Sequence, residues 1–459
     1  MENNSTNDWL IEQEHVAQIK IEEPELLEPE KWLDEDMFTQ FGISIPTEDK
    51  FVGAIKALPC DFIVEEITME GQTMSVTDIT TTPDLIQRDM TKSLFFKIVK
   101  TKVSTLEAIN RITEFAHCQK EKISYAGIKD AAAITGQAAC TKEIPFETLK
   151  HFSDPNVIIT DIRELPGGLS IGSLNGNRFS IFVRGDFSGV TQGILDEKIA
   201  IISEKGIPNF YGTQRFGAPR FLSHVFGKTI LQGNYKKLFE MYLFEESVYE
   251  YRLITKIRRK LKQLYGDWDA MLDISAIMPH AFRIERHFIR EAKKRGARID
   301  AMPYKDILCT EKDQMRIWVY AYASFLANKV LSASNETSET TLPLLITRDE
   351  KARELYDYFL TVDGTDNYRK ELLGLPFIYL AKENTITRNI KPIFLHSHVA
   401  PDGISLQFEL PKGVYATILL QHLFAIKPYT SINSNPAEFV DVLSRLDGRQ
   451  IPDEVKNKL

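Results

Sequence analysis

Strand-like patterns on both sides of a long helical centre constrain the fold of this chain most strongly. Residues 94–99 form an apolar run of strand length, and side chains alternate over residues 179–184 and 406–410. Residues 231–335 have a helical and locally basic pattern. Because strand patterns occur both before and after the helical residues, the chain is predicted to form one α+β, sheet-based domain with a helical insertion.

One helix start is visible in the sequence. Ser104 and Glu107 have the spacing of a capping box, in which a hydroxyl accepts a hydrogen bond from a backbone N–H of the first turn. A helix is therefore expected to begin at this point. Its apolar stripe is expected to contain Leu106, Ile109, Ile112 and Phe115.

Charge is distributed very unevenly along the chain. The 459 residues carry a net charge of −8, but residues 1–40 hold twelve acids against Lys20 and Lys31, a net charge of −10. The remainder is therefore −8 minus −10, or +2, and a near-neutral body can carry local basic faces. Residues 1–45 are predicted to be an acidic, weakly ordered extension that is partly helical around residues 29–38.

Several classes of protein are disfavoured by the sequence. No apolar run approaches the roughly 18 residues of a transmembrane helix, and the polar start of the chain lacks a signal-peptide pattern, so a cytoplasmic protein is expected. The four cysteines form no C-x-x-C pair, which favours reduced thiols. His396 and His398 have no acidic or thiol partner at metal-binding spacing, so no metal site is predicted.

The segment from Tyr125 to Gln137, which reads YAGIKDAAAITGQ, carries the strongest chemical signal. A predicted short strand delivers Asp130 at a glycine-containing turn beside Lys129, and small residues follow. An ionised carboxylate held in a concave and partly dry site can act as a nucleophile. The plainer alternative is a capping aspartate next to a solvated lysine, and composition alone favours that alternative.

This segment resembles the signature G-x-K-D-x-x-A-x-T-x-Q of the TruD family of pseudouridine synthases. The residues that match are Gly127, Lys129, Asp130, Ala133, Thr135 and Gln137. The resemblance implies that Asp130 is the catalytic nucleophile, which attacks the target nucleotide. The next two family positions are often basic or polar, whereas Ala131 and Ala132 remove those phosphate contacts here.

Two further motifs of the family place side chains around the aspartate. Residues 56–66 resemble K-x-x-P-x-D-F-x-V-x-E, which implies that Lys56 lies near the aspartate and favours its ionised form. Residues 176–179 resemble G-N-x-F, which implies that Phe179 packs against the target base. Asn177 either hydrogen-bonds the uracil edge or caps a turn. If the resemblance is set aside, the sequence context predicts that Lys56 is a surface lysine and that Phe179 is a core residue.

Two more motifs extend the resemblance over most of the chain. Residues 206–217 resemble G-x-P-N-(Y/F)-(F/Y)-G-x-Q-R-F-G, and residues 408–417 resemble F-x-L-P-x-G-x-Y-A-T. The first is interpreted as an RNA-contacting wall, with a structural hinge as the alternative. The family usually continues the second with an Arg-Glu pair, which Gln421 and His422 replace here. The RNA-binding residues implied by the motifs are Lys129, Asn209, Tyr211, Gln214 and Arg215.

The resemblance also implies a fold and a division into domains. The fold is an α+β pseudouridine-synthase catalytic domain with a mixed, largely antiparallel sheet, plus an inserted helix-rich TRUD domain. The catalytic domain is expected to comprise residues 46–208 and 385–435, and the insertion residues 209–384. Residues 1–45 are the acidic extension, and residues 436–459 are a C-terminal tail.

Two basic clusters in the helical centre suit phosphate binding. The first consists of Arg252, Lys256, Arg258, Arg259, Lys260 and Lys262. In the second, steps of three and four residues place on one helix face Arg283, Arg286, Arg290 and Lys294. A solvated charged face is the alternative, and the acidic extension is expected to shield the basic surfaces from non-specific RNA.

The resemblance predicts an enzyme that isomerises a specific uridine to pseudouridine in RNA, with tRNA as the preferred substrate. No cofactor, metal or membrane partner is expected, and a monomer is favoured. The alternative is a non-catalytic RNA-binding or RNA-folding protein on the same scaffold. A nuclease or glycosidase would need a carboxylate pair or metal spacing that is not evident in the sequence.

Overall fold

The computed structural model describes residues 2–32, 36–79, 89, 91–333 and 340–459. The chain divides into two units, and each is assembled from two separate stretches of sequence. Unit 1 comprises Met1–Ile45 and Asn209–Arg388, and unit 2 comprises Pro46–Pro208 and Asn389–Leu459. The acidic extension therefore belongs with the helical residues, and residues 436–459, expected from the sequence to form a tail, belong with the sheet.

A mixed sheet forms the framework of unit 2. In chain order, the strands of the protein are β1 (Phe51–Gly53), β2 (Phe62–Thr68), β3 (Ser93–Lys100), β4 (Ile123–Tyr125), β5 (Ile134–Thr141), β6 (Val157–Leu165), β7 (Leu174–Arg184), β8 (Ile207–Pro208), β9 (Thr341–Pro343), β10 (Thr385–Thr387), β11 (Asn389–Ile390), β12 (Ile393–Ala400), β13 (Gly403–Pro411) and β14 (Phe424–Ile426). The main sheet has the order β12-β13-β7-β2-β5-β3-β6, with β4 paired to β5. Within it, β2 and β5 are parallel and the other described pairs are antiparallel. The predicted fold class, α+β with a mixed and largely antiparallel sheet, is confirmed.

Helices occur in both units. In chain order they are α1 (Glu2–Glu22), α2 (Asp36–Gln40), α3 (Thr105–Phe115), α4 (Phe146–Lys150), α5 (Gln192–Lys205), α6 (Ser223–Leu231), α7 (Tyr235–Phe244), α8 (Arg252–Gln263), α9 (Trp268–Ser275), α10 (Arg283–Arg295), α11 (Tyr304–Leu308), α12 (Lys312–Ala333), α13 (Glu350–Asp363), α14 (Tyr368–Leu373), α15 (Ala416–Leu423), α16 (Tyr429–Ile432), α17 (Val442–Leu446) and α18 (Asp453–Lys456). Short 3-10 helices span Pro24–Leu27, Pro59–Asp61, Lys120–Lys122, Thr213–Phe216 and Ile299–Ala301. No helix within the described ranges combines the length and the apolar character needed to cross a bilayer.

The start of α3 matches the prediction from the sequence. The hydroxyl of Ser104 accepts a hydrogen bond from the Glu107 N–H at 3.1 Å. The predicted apolar stripe is right for its central members, Ile109 and Ile112, which are buried. It is wrong for its ends, because Leu106 and Phe115 are exposed. The helix instead buries the smaller side chains of Thr105 and Ala108.

Apolar side chains cover both faces of the main sheet. Successive residues of a strand point to opposite faces, so Ile98 and Val99 of β3 join different clusters. The first cluster includes the buried face of α3. The second includes Val442 and Leu443 of α17 together with Ile451. Residues 436–459 are therefore part of the core of unit 2, since they bury apolar side chains beneath the sheet.

The basic clusters of unit 1 differ from the prediction. Arg258 is buried, and its guanidinium donates to the carboxylates of Glu250 and Glu285 at 3.0–3.1 Å. Arg286 donates to the carbonyl of Leu272 at 2.8 Å. Both arginines hold helices together and do not belong to a phosphate-binding face. The exposed basic side chains of α8 and α10 include Lys256, Lys260, Lys262, Arg283, Arg290 and Lys294.

The acidic extension is more ordered than predicted. Its long helix is α1, which ends at Glu22, and the short helix α2 overlaps the end of the predicted range of residues 29–38, in which residues 33–35 lie outside the described residues. Glu12 is buried, and one carboxylate oxygen accepts hydrogen bonds from the N–H groups of His280 and Ala281, both at 2.8 Å. Phe41 stacks on Phe216 with ring centroids 4.6 Å apart. The extension is therefore an integral part of unit 1, because it contributes to both its polar contacts and its core.

Replacing Glu12 with alanine is expected to lower the free energy of unfolding by about 1–3 kcal/mol, because two buried N–H donors lose a charged acceptor. Urea unfolding followed by circular dichroism measures this loss. The matched control is Glu14→Ala on the same helix, whose side chain is exposed and whose loss should cost less than about 0.5 kcal/mol. Equal effects of the two substitutions would contradict the role given to Glu12.

Candidate active site

Asp130 lies at the turn between β4 and β5, and its side chain is 36% exposed. Its Oδ1 accepts a hydrogen bond from the Ala132 N–H at 3.1 Å, as in an Asx-turn. Its Oδ2 forms an ion pair with the Nζ of Lys56. The turn therefore presents the carboxylate partly to solvent and fixes its orientation on both sides.

Lys56 reaches the aspartate from the segment that connects β1 to β2. Its backbone is left-handed, with φ of 58°, which costs a non-glycine residue about 1–2 kcal/mol. Its Nζ lies 4.4 Å from the centroid of the Phe62 ring, within range of a cation–π contact. The structure thus brings together the lysine and the aspartate of two separate sequence motifs, at a point where the backbone is strained.

The surroundings of Asp130 favour its charged form. Partial burial alone raises the pKa of this carboxyl, since it removes water from the charged state. The charge and hydrogen bond of Lys56, the Ala132 N–H and the charge of Lys100 act in the opposite direction and together lower the pKa below its ordinary value. The carboxylate is consequently ionised at neutral pH although part of its hydration is lost.

Lys100, which the sequence motifs do not include, stabilises the backbone of the turn that carries Asp130. Its side chain is buried, and its ammonium donates to the carbonyls of Val103 and Asp130, both at 2.9 Å. Burial lowers the pKa of Lys100 to about 8, while the charge of Asp130 opposes this change. The sequence does not indicate this role, because Lys100 is one lysine at the end of an apolar strand and acquires the role only when the turn of Asp130 packs over its side chain.

The residue before the aspartate, Lys129, is buried rather than presented to solvent. It is 7% exposed, and its Nζ forms an ion pair with the buried carboxylate of Glu66 at 2.8 Å. The same Nζ donates to the Oδ1 of Asn177 at 2.7 Å. The RNA-binding role predicted for Lys129 therefore meets a physical obstacle, since its ammonium is engaged inside the protein. Glu66 lies in the motif of residues 56–66, but its partner is not evident from the sequence.

Phe179 lies on the same face of the sheet as this polar cluster. Its ring stacks on Phe408 with a centroid separation of 5.4 Å and meets the edge of Phe62 at 6.1 Å. Its side chain is buried, so only a small part of the ring is accessible. The structure thus gives Phe179 the packing of a core residue beside the polar cluster, and contact with a base would use the accessible part of the ring.

A hydrogen-bonded chain anchors the loop that carries Lys129 and Asp130. The hydroxyl of Thr105 accepts from the Lys129 N–H at 2.8 Å and donates to the Oε1 of Gln137 at 2.8 Å. The Nε2 of Gln137 donates to the carbonyl of Gly127 at 3.2 Å. Gln137 thus explains one matched position of the sequence signature, because its side chain ties β5 to the preceding loop.

The other candidate RNA-binding residues lie in unit 1. The side chain of Asn209 donates to the carbonyl of Thr387 at 2.9 Å. The Nε of Arg215 donates to the hydroxyl of Ser324 at 3.0 Å, and its guanidinium lies 5.7 Å from the ring of Tyr211. Gln214 is exposed. These contacts give the segment a structural role. They leave Gln214 accessible, together with parts of the side chains of Asn209, Tyr211 and Arg215.

The segment of residues 209–215 is also held through its backbone. The side chain of Asn328 on α12 accepts from the Tyr211 N–H at 2.8 Å and donates to the Tyr211 carbonyl at 3.0 Å. The same amide donates to the carbonyl of Phe41. One buried asparagine therefore links this segment to the N-terminal extension, a role that the sequence does not indicate.

The chemistry available around Asp130 follows from these contacts. An ionised and partly desolvated carboxylate can attack an electrophilic carbon or stabilise a developing positive charge. The neighbouring cluster of Lys129, Glu66 and Asn177 offers directed hydrogen bonding. Such a site suits a substrate that combines an electrophilic carbon with a polar, planar group.

The fold and the sequence both have relatives among known proteins. A solved structure of a putative tRNA pseudouridine synthase D from Methanosarcina mazei superimposes with a TM-score of 0.59 at 20% identity, and the match covers 85% of this chain and 98% of the other. The α+β architecture is thus that of a pseudouridine-synthase fold. The family model described as tRNA pseudouridine synthase D (TruD) matches residues 43–344. The chain belongs to the TruD family.

Individual relatives are more distant. A probable tRNA pseudouridine synthase D from Archaeoglobus fulgidus is 30% identical over 280 residues, which is 61% of this chain and 62% of the relative. One from Methanopyrus kandleri is 27% identical over 362 residues, which is 72% of this chain and 84% of the relative. The alignment with the first of these proteins thus spans less than two thirds of its length.

Replacing Lys56 with methionine is expected to raise the pKa of Asp130, because burial remains while the nearby cation is lost. Carbon-13 NMR of labelled aspartate carboxyls measures the change. Since a depressed pKa stabilises the folded state above the unfolded pKa and loses this effect as the pH falls, the variant should show a weaker acid-dependent loss of stability.

The control for this substitution is Lys122→Met, which removes a lysine paired with Glu143 at 2.7 Å elsewhere in unit 2. It should leave the titration of Asp130 unchanged. An unchanged titration in the Lys56 variant would show that the ion pair does not govern the aspartate.

Proposed function

We propose that this protein isomerises a specific uridine to pseudouridine in RNA, with tRNA as the preferred substrate. The observation that carries the proposal is the ion pair of Asp130 with Lys56, which keeps a partly desolvated carboxylate charged at an accessible turn. Membership of the TruD family supports the reaction class. The names of the relatives support tRNA as the RNA.

The proposed reaction moves one bond within one nucleotide. The target uridine leaves its stack, as required for enzymes that act on a base, and Asp130 attacks the nucleotide or assists departure of its base. The N1–C1′ bond breaks, the uracil rotates, and a C5–C1′ bond forms. N1 gains a proton and C5 loses one, so substrate and product have the same composition. The reaction therefore consumes no redox partner, group donor or cofactor.

Other side chains of unit 2 have supporting roles in this proposal. Lys56 keeps Asp130 ionised, and Lys100 holds the backbone of the turn in place. The accessible part of the Phe179 ring contacts the extruded base, and Asn177 hydrogen-bonds the base. Aromatic contact tolerates any base because every base has a π-face, so the polar contact supplies the selectivity.

RNA binding by unit 1 is a separate part of the proposal. Gln214 is exposed, and Asn209, Tyr211 and Arg215 are each partly exposed. Arginine suits both phosphate contact and stacking on a base. The exposed lysines and arginines of α8 and α10 add sequence-independent attraction for phosphates.

Replacing Asp130 with asparagine is expected to abolish pseudouridine formation and to change RNA affinity by less than about fivefold, since the shape is kept and only the charge is lost. Carbodiimide labelling of transfer RNA followed by primer extension measures the product. The matched control is Asp186→Asn, which alters another turn aspartate that accepts from the N–H two residues later, at 3.1 Å.

This assay also separates the two candidate functions. Full turnover by the Asp130 variant in a clean preparation would reject the nucleophile. A blank result with the unmodified protein on every tested RNA would favour a non-catalytic RNA-binding or RNA-folding protein on the same scaffold. That alternative is favoured by Ala131 and Ala132, which offer no side-chain contact to a phosphate.

Neutralising exposed acids of the N-terminal extension is expected to tighten binding to random RNA about two- to fivefold at low salt, because unit 1 loses local negative charge. The variant replaces with glutamine the exposed residues Glu14, Glu22 and Glu25. Substitution is preferable to deletion of residues 1–45, which would remove the buried Phe41.

Fluorescence anisotropy with a labelled random RNA at several salt concentrations measures this effect. The control variant makes the same charge change at exposed acids of unit 2, namely Glu48, Glu70 and Glu114. An equal gain in both variants would assign the effect to net charge, and no gain in either would reject shielding.

A further inference from the structure

We infer that Lys129 and Glu66 are positioning residues that fix the amide of Asn177, so that Asn177 presents an N–H donor to a carbonyl oxygen of the target uracil. The inference rests on the proposed function, because it names how that site recognises its base. It gives Lys129 a role different from the RNA contact implied by the sequence motif.

The three side chains meet on one face of the main sheet. Glu66 on β2 and Asn177 on β7 are directly paired across adjacent antiparallel strands, so their side chains point to the same face. Lys129 enters from the loop before β5 and bridges them, 2.8 Å from the Glu66 carboxylate and 2.7 Å from the Asn177 oxygen. The bridge therefore joins two strands and the catalytic loop at one point.

The chemistry of lysine determines which end of the amide is presented. An ammonium can only donate hydrogen bonds, so the atom of Asn177 that faces Lys129 must be its oxygen. The amide NH2 group is then the end directed away from the lysine. Among the described residues, none accepts a hydrogen bond from this group, whereas the oxygen of the same amide accepts from Lys129. The partly exposed side chain of Asn177 thus offers a donor of fixed orientation.

The burial of the ion pair prevents the amide from turning over. Glu66 is 1% exposed, and its other carboxylate oxygen accepts from the Ala138 N–H at 3.2 Å. Moving the ammonium away would leave this carboxylate buried without a counter-charge, which is strongly unfavourable. The backbone of Lys129 is also tied to Thr105. The orientation of Asn177 is therefore set before any RNA binds.

A fixed donor is useful because uracil and cytosine differ in hydrogen-bonding polarity. Both bases carry a carbonyl oxygen at position 2, but position 4 is a carbonyl in uracil and an amino group in cytosine, so a donor directed at position 4 separates them. A site built to donate one hydrogen bond discriminates strongly against a group that cannot accept it. Two consecutive residues thus have different roles. Asp130 acts on the nucleotide, and Lys129 orients Asn177, which donates a hydrogen bond to the base.

The test compares turnover of tRNA transcripts that carry uridine, 2-thiouridine or 4-thiouridine at the modified position, since sulfur is a poorer hydrogen-bond acceptor than oxygen. The unmodified protein should turn over one of the two thiolated RNAs at least about tenfold less efficiently than the uridine RNA. The double variant Glu66→Gln with Lys129→Met removes the ion pair without leaving a buried charge. In this variant, the turnover efficiencies for the uridine RNA and for that thiolated RNA should differ by no more than about twofold.

The control double variant, Glu143→Gln with Lys122→Met, removes an exposed pair of the same types and should keep the discrimination. If the Glu66 and Lys129 variant does not fold, Asn177→Ala decides the question, because it leaves the ion pair intact and removes the donor. The inference would be overturned if either folded variant still discriminated between the uridine RNA and the thiolated RNA. It would also be overturned if the unmodified protein did not discriminate between them. No pseudouridine from the unmodified protein on any RNA would instead reject the proposed function.

Discussion

The parallel pairing of β2 with β5 is the constraint on which the candidate site depends. Ile63 pairs with Ile134, so the segments that precede the two strands emerge at the same edge of the sheet. One segment carries Lys56 and the other carries Asp130. Motifs separated by about seventy residues in the chain therefore meet because two strands run in the same direction, and an antiparallel arrangement would place them at opposite edges.

Three lysines near the aspartate have three different partners. Lys56 binds the carboxylate of Asp130, Lys100 binds its backbone carbonyl, and Lys129 binds Glu66 and Asn177. The first interaction sets the charge of the site, the second sets the shape of its turn, and the third sets a hydrogen-bond direction. The same residue type thus stabilises the site in three ways, depending on its burial and on the atoms it faces.

The sequence predicted the architecture and the location of the site better than the partners within it. The alternating pattern around Phe179 and the capping residue Ser104 have local physical causes, so single segments reveal them. Burial of a charged side chain depends on contacts from distant segments, and Lys129 and Arg258 both resemble solvated RNA-binding residues until those contacts are known. The acidic extension was predicted to be weakly ordered for the same reason, because the N–H groups that donate to Glu12 lie some 270 residues away in the chain.

The interleaving of the two units also bears on the order in which the chain can fold during synthesis. The residues of unit 1 are complete once Arg388 has been made, whereas β7 gains its neighbour β13 only after residues 403–411 have been translated. Until then β7 has β2 on one side and an unpaired edge on the other, and such an edge promotes association with other chains. A nascent chain stalled between these points would be prone to aggregation, and pairing with β13 would end that period of exposure.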